Sequence, residues 1–275
     1  MYHLELDNSI QGSHHAKELC ILIQQSSISG AIYDVSLGAF SFLNLEMWEE
    51  PMLPQVLEDR LKSWLSRHQS KLNQPFNQIF IGIDSPKFIV LPNTGIDIVE
   101  AFQVLNTYNA SREMIATTVV EEDFNVHFSM AKSVWEMFNH HFEGKKFLFG
   151  DYGLLKEVKY LPNDQNFLLA KVSGHHLSLV YAEKSHPAYY NRFEFQTKED
   201  LLYYVALAYE ELKLDRNFTP LLLYGLIEME SPLFQTLFGY VRNIRLAPGT
   251  PEFKASALLK DVPPHFFNAL FNLRK

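Results

Sequence analysis

One order of elements occurs twice in this chain, and that repetition limits its fold more than any other feature. Three apolar, β-rich stretches run from Leu19 to Gln24, Ile28 to Val35 and Ala39 to Trp48, with Ser26-Ser27 in the first gap and Ser36-Leu37-Gly38 in the second. Gaps this short, filled by turn residues, predict an antiparallel meander. A helix is expected next. Pro54 suits its first turn, and Leu57, Leu61, Trp64, Leu65 and His68 recur on one face. Gln78 to Asp84 and Lys87 to Leu91 then return to β-rich composition. After Pro162 the order begins again with Phe167 to Val172, Leu177 to Ala182 and Ala188 to Phe195, turning at Ser173-Gly174 and around His186-Pro187. Thr197 precedes Asp200 by three residues, an approximate capping box, and Leu201, Val205, Ala208 and Leu212 mark the apolar face of the following helix. Thr219 to Gly225 follows as a β-rich run, then a helix with Ser231 as cap, Pro232 in its first turn and Gly239 at its end. Tyr240 to Leu246 is expected as a closing strand. Strand, strand, strand, helix, strand, used twice, implies duplication of an element order without residue-by-residue identity.

The remaining segments fit around these copies. The first eighteen residues show no clear period and predict a mobile or edge segment. Glu113 to Val120 and Asp123 to Phe128 are expected strands, and Ser129 is placed to cap a helix with Ala131, Val134, Trp135, Phe138 and Phe142 on one face, ended by Gly144. Lys146 to Phe149 returns as a strand. The tail carries Phe266, Phe267, Leu270, Phe271 and Leu273, the pattern of a docked helix.

At 275 residues, 47% hydrophobic and 20% charged, the chain has the length for two domains and the composition of a globular protein. Its net charge of −8 and pI near 5.8 give no general attraction to nucleic acid or anionic lipid, and no motif of a common nucleic-acid module is present. Cys20 is the single cysteine. It excludes an intrachain disulfide, fits a reducing compartment, and sits in Leu19-Cys20-Ile21-Leu22-Ile23, where an inert buried thiol is expected. The N-terminus lacks an apolar core of signal-peptide length, and no apolar run approaches the roughly 18 residues of a membrane span. The expectation is a cytoplasmic protein without membrane insertion.

Three antiparallel strands, a helix, and then alternating strands and helices, used twice, is the order of the ribonuclease-H-like lobe doubled in actin, the heat-shock chaperone ATPases and the sugar kinases. The stretch Tyr190 to Gly225, YNRFEFQTKEDLLYYVALAYEELKLDRNFTPLLLYG, carries a closer likeness. It resembles the signature region of a bacterial group, the domain-of-unknown-function family 3822, as does Phe88 to Pro92. The resemblance covers most of the chain. It implies an α/β fold of duplicated actin-like (ribonuclease-H-like) lobes, mixed sheets with flanking helices, with residues 1–160 as the first lobe and 161–275 as the second. It brings no established activity with it.

In actin-like ATPases the turn between the first two strands of each lobe wraps the nucleotide phosphates with an Asp, a Gly and a small hydroxyl residue. Backbone N–H groups must approach the phosphates, and a carboxylate must hold hydrated Mg²⁺. Here the first turn reads Ile23-Gln24-Gln25-Ser26-Ser27-Ile28-Ser29, with hydroxyls but neither carboxylate nor glycine. The second reads Lys171-Val172-Ser173-Gly174-His175-His176, with one glycine and Lys171 near the place of an Asp. The adenosine-binding turn, normally a glycine pair, reads Leu223-Tyr224-Gly225-Leu226. Ser26, Ser27, Ser173, Gly174 and Gly225 are therefore the cleft-lining candidates that the resemblance implies, with no catalytic residue among them. Losing the carboxylate and the close backbone together removes most electrostatic stabilisation of phosphoryl transfer. Asp84 and Asp151 remain as carboxylates near strand ends, and Gly150-Asp151-Tyr152-Gly153 reads first as a turn with a locally bonded Asp.

Other chemistry is thinly signalled. The pairs His14-His15, His140-His141 and His175-His176 place adjacent rings on diverging directions, unsuited to holding one ion, and neither HExxH nor a cysteine partner is present, so no metal is expected. No GxSxG occurs. Glu121-Glu122-Asp123 reads as a solvated turn, and the tyrosine-rich face of Leu201 to Leu212 as core, with a partner groove as the other reading. Together these predict a non-catalytic, pseudo-ATPase scaffold or adaptor that uses its interlobe cleft or a lobe surface to hold another protein, without cofactor. The alternatives are a nucleotide-binding sensor or residual ATPase in the interlobe cleft, and a small-molecule enzyme of unrecognised chemistry.

Overall fold

Strands that read as continuous apolar runs are buried on both faces, and the first meander behaves so. The computed structural model describes residues 2–8, 16–48, 54–92, 96–105, 108–120 and 124–275. His14-His15 and Glu121-Glu122-Asp123 lie outside them. Two units divide the chain, Met1–Tyr152 with Ala255–Leu259 and Arg274, and Gly153–Lys254 with Lys260–Leu273 and Lys275.

The first unit runs β1 (Tyr2–Asp7), β2 (Lys17–Gln24), β3 (Ser27–Asp34), β4 (Ala39–Met47), α1 (Pro54–Arg67), α2 (Gln69–Leu72), β5 (Gln78–Ile83), β6 (Phe88–Pro92), α3 (Ile98–Leu105), β7 (Glu113–Val119), β8 (Phe124–Ala131), α4 (Lys132–His141) and β9 (Lys145–Phe149). Its main sheet has the order β1-β4-β3-β2-β5-β9. The β2–β5 and β5–β9 pairs are parallel and the others antiparallel. β3 is buried at every position, and β2 at all but Glu18 and Gln24.

Helix α1 lies against this sheet because Gly30 leaves room for it. A Cβ there would stand 2.7 Å from the Trp64 ring. Trp64 is fully buried and donates its indole N–H to Asn44 Oδ1 at 2.7 Å. Arg67 holds the buried Glu46 carboxylate with Nη2 at 2.7 and 2.5 Å. The antiparallel sheet β6-β8-β7 is inserted between β5 and β9. Thr118 of β7 offers its hydroxyl to the Phe149 amide at 2.7 Å, supplying the acceptor that an edge strand otherwise lacks.

The second unit takes up α5 (Tyr152–Glu157), which begins on the last residue of the first, and continues with β10 (Phe167–Ser173), β11 (His176–Glu183), β12 (His186–Glu194), α6 (Lys198–Glu211), β13 (Leu221–Gly225), α7 (Pro232–Phe238), β14 (Ile244–Leu246), α8 (Pro251–Ala255) and α9 (Pro264–Phe271). Its sheet, β12-β11-β10-β13-β14, repeats β4-β3-β2-β5-β9 strand for strand with the same pairing directions. Thr197 and Asp200 form the expected capping box, Thr197 Oγ1 accepting the Asp200 N–H at 3.1 Å and Asp200 Oδ2 accepting the Thr197 N–H at 2.9 Å. Leu201, Val205 and Ala208 are buried against Leu168, Ala170, Val172, Leu221 and Leu223, while Leu212 is only partly covered.

Several local expectations change. Of the mobile or edge segment expected at the N-terminus, residues 2–7 take the edge form, as strand β1 on β4. Ser129 belongs to β8, and α4 starts after Ala131 with no side-chain cap. The second hairpin of the repeat turns at Lys184-Ser185, with φ of 49° and 61°, rather than at His186-Pro187, because a tight two-residue hairpin needs left-handed backbone to follow the strand twist. The closing strand is short, since the Tyr240 and Val241 N–H groups still bond the Leu237 carbonyl. No described helix is long and apolar enough to cross a membrane.

Val205 is fully buried on the α6 face. Val205→Asp would place an unpaired carboxylate there and should lower unfolding free energy by about 3 kcal/mol or more. Chemical denaturation of the full chain checks this, and an unchanged midpoint would contradict the packing described.

Candidate functional site

Ligands of open α/β sheets gather outside the carboxyl ends of parallel strands. In the first unit these ends are Gln24, Ile83 and Phe149, on β2, β5 and β9. The β2–β3 turn is Gln25-Ser26. Ser26 is half-buried, and its carbonyl accepts the Trp48 N–H at 2.8 Å. Ser27 is buried, with its hydroxyl donated to Gln24 Oε1 at 3.0 Å. Beyond β5 the Asp84 N–H bonds Ile23 O, and beyond β9 the Gly150 N–H bonds Ile83 O, each at 2.8 Å. A Cβ on Gly150 would meet Asp84 Cα at 2.7 Å, so this glycine permits a close backbone approach. Asp84 and Asp151 are both buried, Asp151 completely.

In the second unit the β10–β11 turn is Gly174-His175. Gly174 is exposed at φ 56°, and His175 places Nδ1 3.2 Å from Phe195 O. Gly225 ends β13 opposite Val172. Its φ is 92°, and a Cβ would stand 1.9 Å from Val172 O. Ser173, Gly174 and Gly225 therefore meet at one end of β10 and β13, while Ser26 and Ser27 belong to the first unit.

A polar cluster without a sequence signature lies on the other face of this second sheet. Core-facing Ala170, Val172 and Leu223 alternate with Lys171 and Tyr224, which are register partners and both buried. Among the described residues the Tyr224 hydroxyl has no hydrogen-bond partner. Burial and, after it, the Glu157 charge push that phenol far above its usual range. Glu157 on α5 accepts a hydrogen bond from Asn272 Nδ2. Burial raises the Glu157 carboxyl, opposed by Lys275 and the Asn272 bond and reinforced by Glu252. The only trace of this cluster in the sequence is a tyrosine in the otherwise apolar run Leu221-Leu222-Leu223-Tyr224.

The histidine pairs go separate ways. His140 and His141 end α4, and His141 Nδ1 approaches Met137 O at 2.9 Å. Among the described residues no group of three or more His, Cys, Asp or Glu is arranged to hold a metal ion. Burial pushes the Cys20 thiol well above its usual range, away from the thiolate that would make it reactive.

Two lobes of this topology define the class: the molecule has the actin-like ATPase fold. It superposes on a Bacteroides thetaiotaomicron protein described as having an actin-like ATPase fold and unknown function, with a TM-score of 0.70, 17% identity, and coverage of 88% of this chain and 95% of that one. The PilM–PilN type IV pilus biogenesis complex matches with a TM-score of 0.59, 15% identity, and coverage of 93% and 97%. The ethanolamine utilization protein EutJ of Carboxydothermus hydrogenoformans gives 0.54, 7% identity, and coverage of 97% and 92%. The chain belongs to the family described as "Protein of unknown function (DUF3822)", matched over residues 7–244. Among curated proteins none matches it.

Two outcomes follow from this geometry. Gly225→Ala, forced against Val172 O and strained at positive φ, should destabilise the fold by about 2 kcal/mol or more, read as a lower denaturation midpoint. The second concerns Glu157, whose raised carboxyl keeps its proton in the fold after the unfolded chain has lost it. That contribution is complete below the ordinary value of 4.5 and is lost as pH rises through the folded value. Melting from about pH 4 to about pH 8 should show the native chain losing stability relative to Glu157→Gln; parallel curves would exclude the effect.

Proposed function

We propose that this chain is a non-catalytic actin-like adaptor, a pseudo-ATPase working in the cytoplasm, that holds another protein through a surface of one of its lobes. One observation carries the reading. At the β2–β3 turn, where the fold's metal-holding carboxylate belongs, the residues are Gln25, Ser26 and a Ser27 whose hydroxyl is already bonded to Gln24. Without that carboxylate, Mg²⁺ and the charge developing on a transferred phosphoryl group lack a counterpart at this turn. A structurally similar protein was solved within the PilM–PilN type IV pilus biogenesis complex, and this supports assembly as a use of the fold. On this reading residues 1–160 and 161–275 act as the two lobes. Ser26, Ser27, Ser173, Gly174 and Gly225 stay the candidate ligand-facing positions of their own lobes.

A nucleotide-binding sensor is the second reading, favoured by the burial of Asp84 and Asp151 just beyond the carboxyl ends of β5 and β9. Calorimetric titration with Mg²⁺-ATP, together with a phosphate-release assay, separates the two. The adaptor should release no phosphate and show no binding in the micromolar range. Micromolar binding abolished by Gly174→Trp would replace the adaptor with the sensor.

A further inference from the structure

Helix α9 packs on β13 and brings polar side chains to its buried side. His265, Asn268 and, at the C-terminal cap, Asn272 follow one another at intervals of three and four residues, the spacing of one helix face. Each meets a carbonyl of a different segment. His265 Nε2 stands 2.7 Å from Ile227 O, and Asn268 Nδ2 donates to Pro248 O at 3.2 Å. Asn272 Nδ2 donates to Gly153 O at 3.4 Å and to Glu157 Oε2.

These bonds fix which amide atom is which. Turning either amide over would set Oδ1 against a carbonyl oxygen, so Asn268 Oδ1 and Asn272 Oδ1 are the atoms left over. Among the described residues neither has a hydrogen-bond partner, as the Tyr224 hydroxyl has none. Burial makes this costly, since Tyr224 is 2% exposed, Asn268 1% and Asn272 0%. The three residues belong to one neighbourhood. Glu157, bonded to Asn272, is the charge that acts on the Tyr224 phenol. Asn268 lies one turn from Asn272, and its partner Pro248 follows Ala247, whose N–H bonds the O of Leu223, next to Tyr224 in β13.

Protein interiors meet such groups with ordered water, which needs two to four polar partners. The set here suits it. Two amide oxygens can only accept, and the phenol can donate or accept, which matches the two protons and the lone pairs of a water molecule. We propose that the seam between α9 and β13 is a water-binding site, where ordered water donates to Asn268 Oδ1 and Asn272 Oδ1 and pairs with the Tyr224 hydroxyl. This site is independent of the adaptor reading. Its water completes the polar tie of α9 to the second sheet.

A crystal structure of the full chain, from crystals soaked in rubidium chloride, tests the site directly. Water density within about 3.2 Å of at least two of the three oxygens is expected, without anomalous signal from rubidium. Absence of that density, or a Tyr224 hydroxyl bonded to a protein group instead, overturns the proposal. A rubidium peak on the same oxygens overturns it in favour of a monovalent cation. Chemical denaturation of Tyr224→Phe puts the question in solution. A hydroxyl bonded to water loses that bond on substitution and the midpoint falls, whereas removing an unpaired hydroxyl relieves its desolvation cost and the midpoint rises. Tyr209→Phe supplies the scale, because the Tyr209 hydroxyl donates to Thr219 O at 3.0 Å. Tyr224→Phe should lower the midpoint by an amount comparable to Tyr209→Phe, and an unchanged or raised midpoint overturns the site.

Discussion

The parallel pairing of β2 with β5, and of β10 with β13, governs the rest of this structure. Parallel neighbours cannot be joined by a hairpin, so each pair requires a crossover, and α1 and α6 supply it. A crossover helix must then cover one face of the sheet, and each unit accommodates it differently. Gly30 removes a side chain so that Trp64 can lie on β3, whereas α6 presents Leu201, Val205 and Ala208 to β10 and β13. The same pairing sends the ends of β2, β5 and β9 one way, which is why Ser26, Asp84 and Gly150 stand beyond the same edge of their sheet.

Elements whose signal is local were legible in the sequence. The meanders, the Thr197-Asp200 capping box and the Ser231-Pro232 helix start depend on spacings of a few residues, and the structure has them. Elements set by tertiary partners were not. Strand β1 was legible only as a mobile or edge segment, because it has no apolar run of its own and pairs with the edge that β4 offers. Ser129 has the chemistry of a cap, but the ladder between β7 and β8 takes it into a strand. Tyr240 and Val241 look β-prone, yet their amides complete the end of α7.

The candidate site was legible as composition and illegible as geometry. The missing carboxylates of the β2–β3 turn can be read directly from the residues. The reason for Gly225 cannot, since a lone glycine after a strand looks the same whether a phosphate or a neighbouring strand approaches it. Here Val172 O lies where a Cβ would be, so packing alone requires glycine. Gly150 and Gly153 of the GDxG stretch have reasons of the same kind, one against Asp84 Cα and the other against Ala269 O. Glu157, Tyr224 and Asn272 come from distant stretches of chain, and no local pattern joins them.

These placements separate the residues that hold the fold from those that phosphate chemistry would need. The fold rests on the Trp64 ring against Gly30, on close backbone approaches at Gly150 and Gly225, and on buried faces of the crossover helices. Carboxylates at the two inter-strand turns would add little to either, because turn residues half open to water bury little area and form no part of the ladder. A chain of this architecture can therefore exchange turn carboxylates for Gln25, Ser26 or Gly174 with its stability nearly unchanged. Exposed cations such as Arg216 and Arg242 are equally cheap to hold, since solvent screens them and no core contact depends on them. The scaffold consequently constrains its own core far more tightly than the chemistry presented at its turns and rims, and in this family function has to be read from those surfaces rather than from the fold.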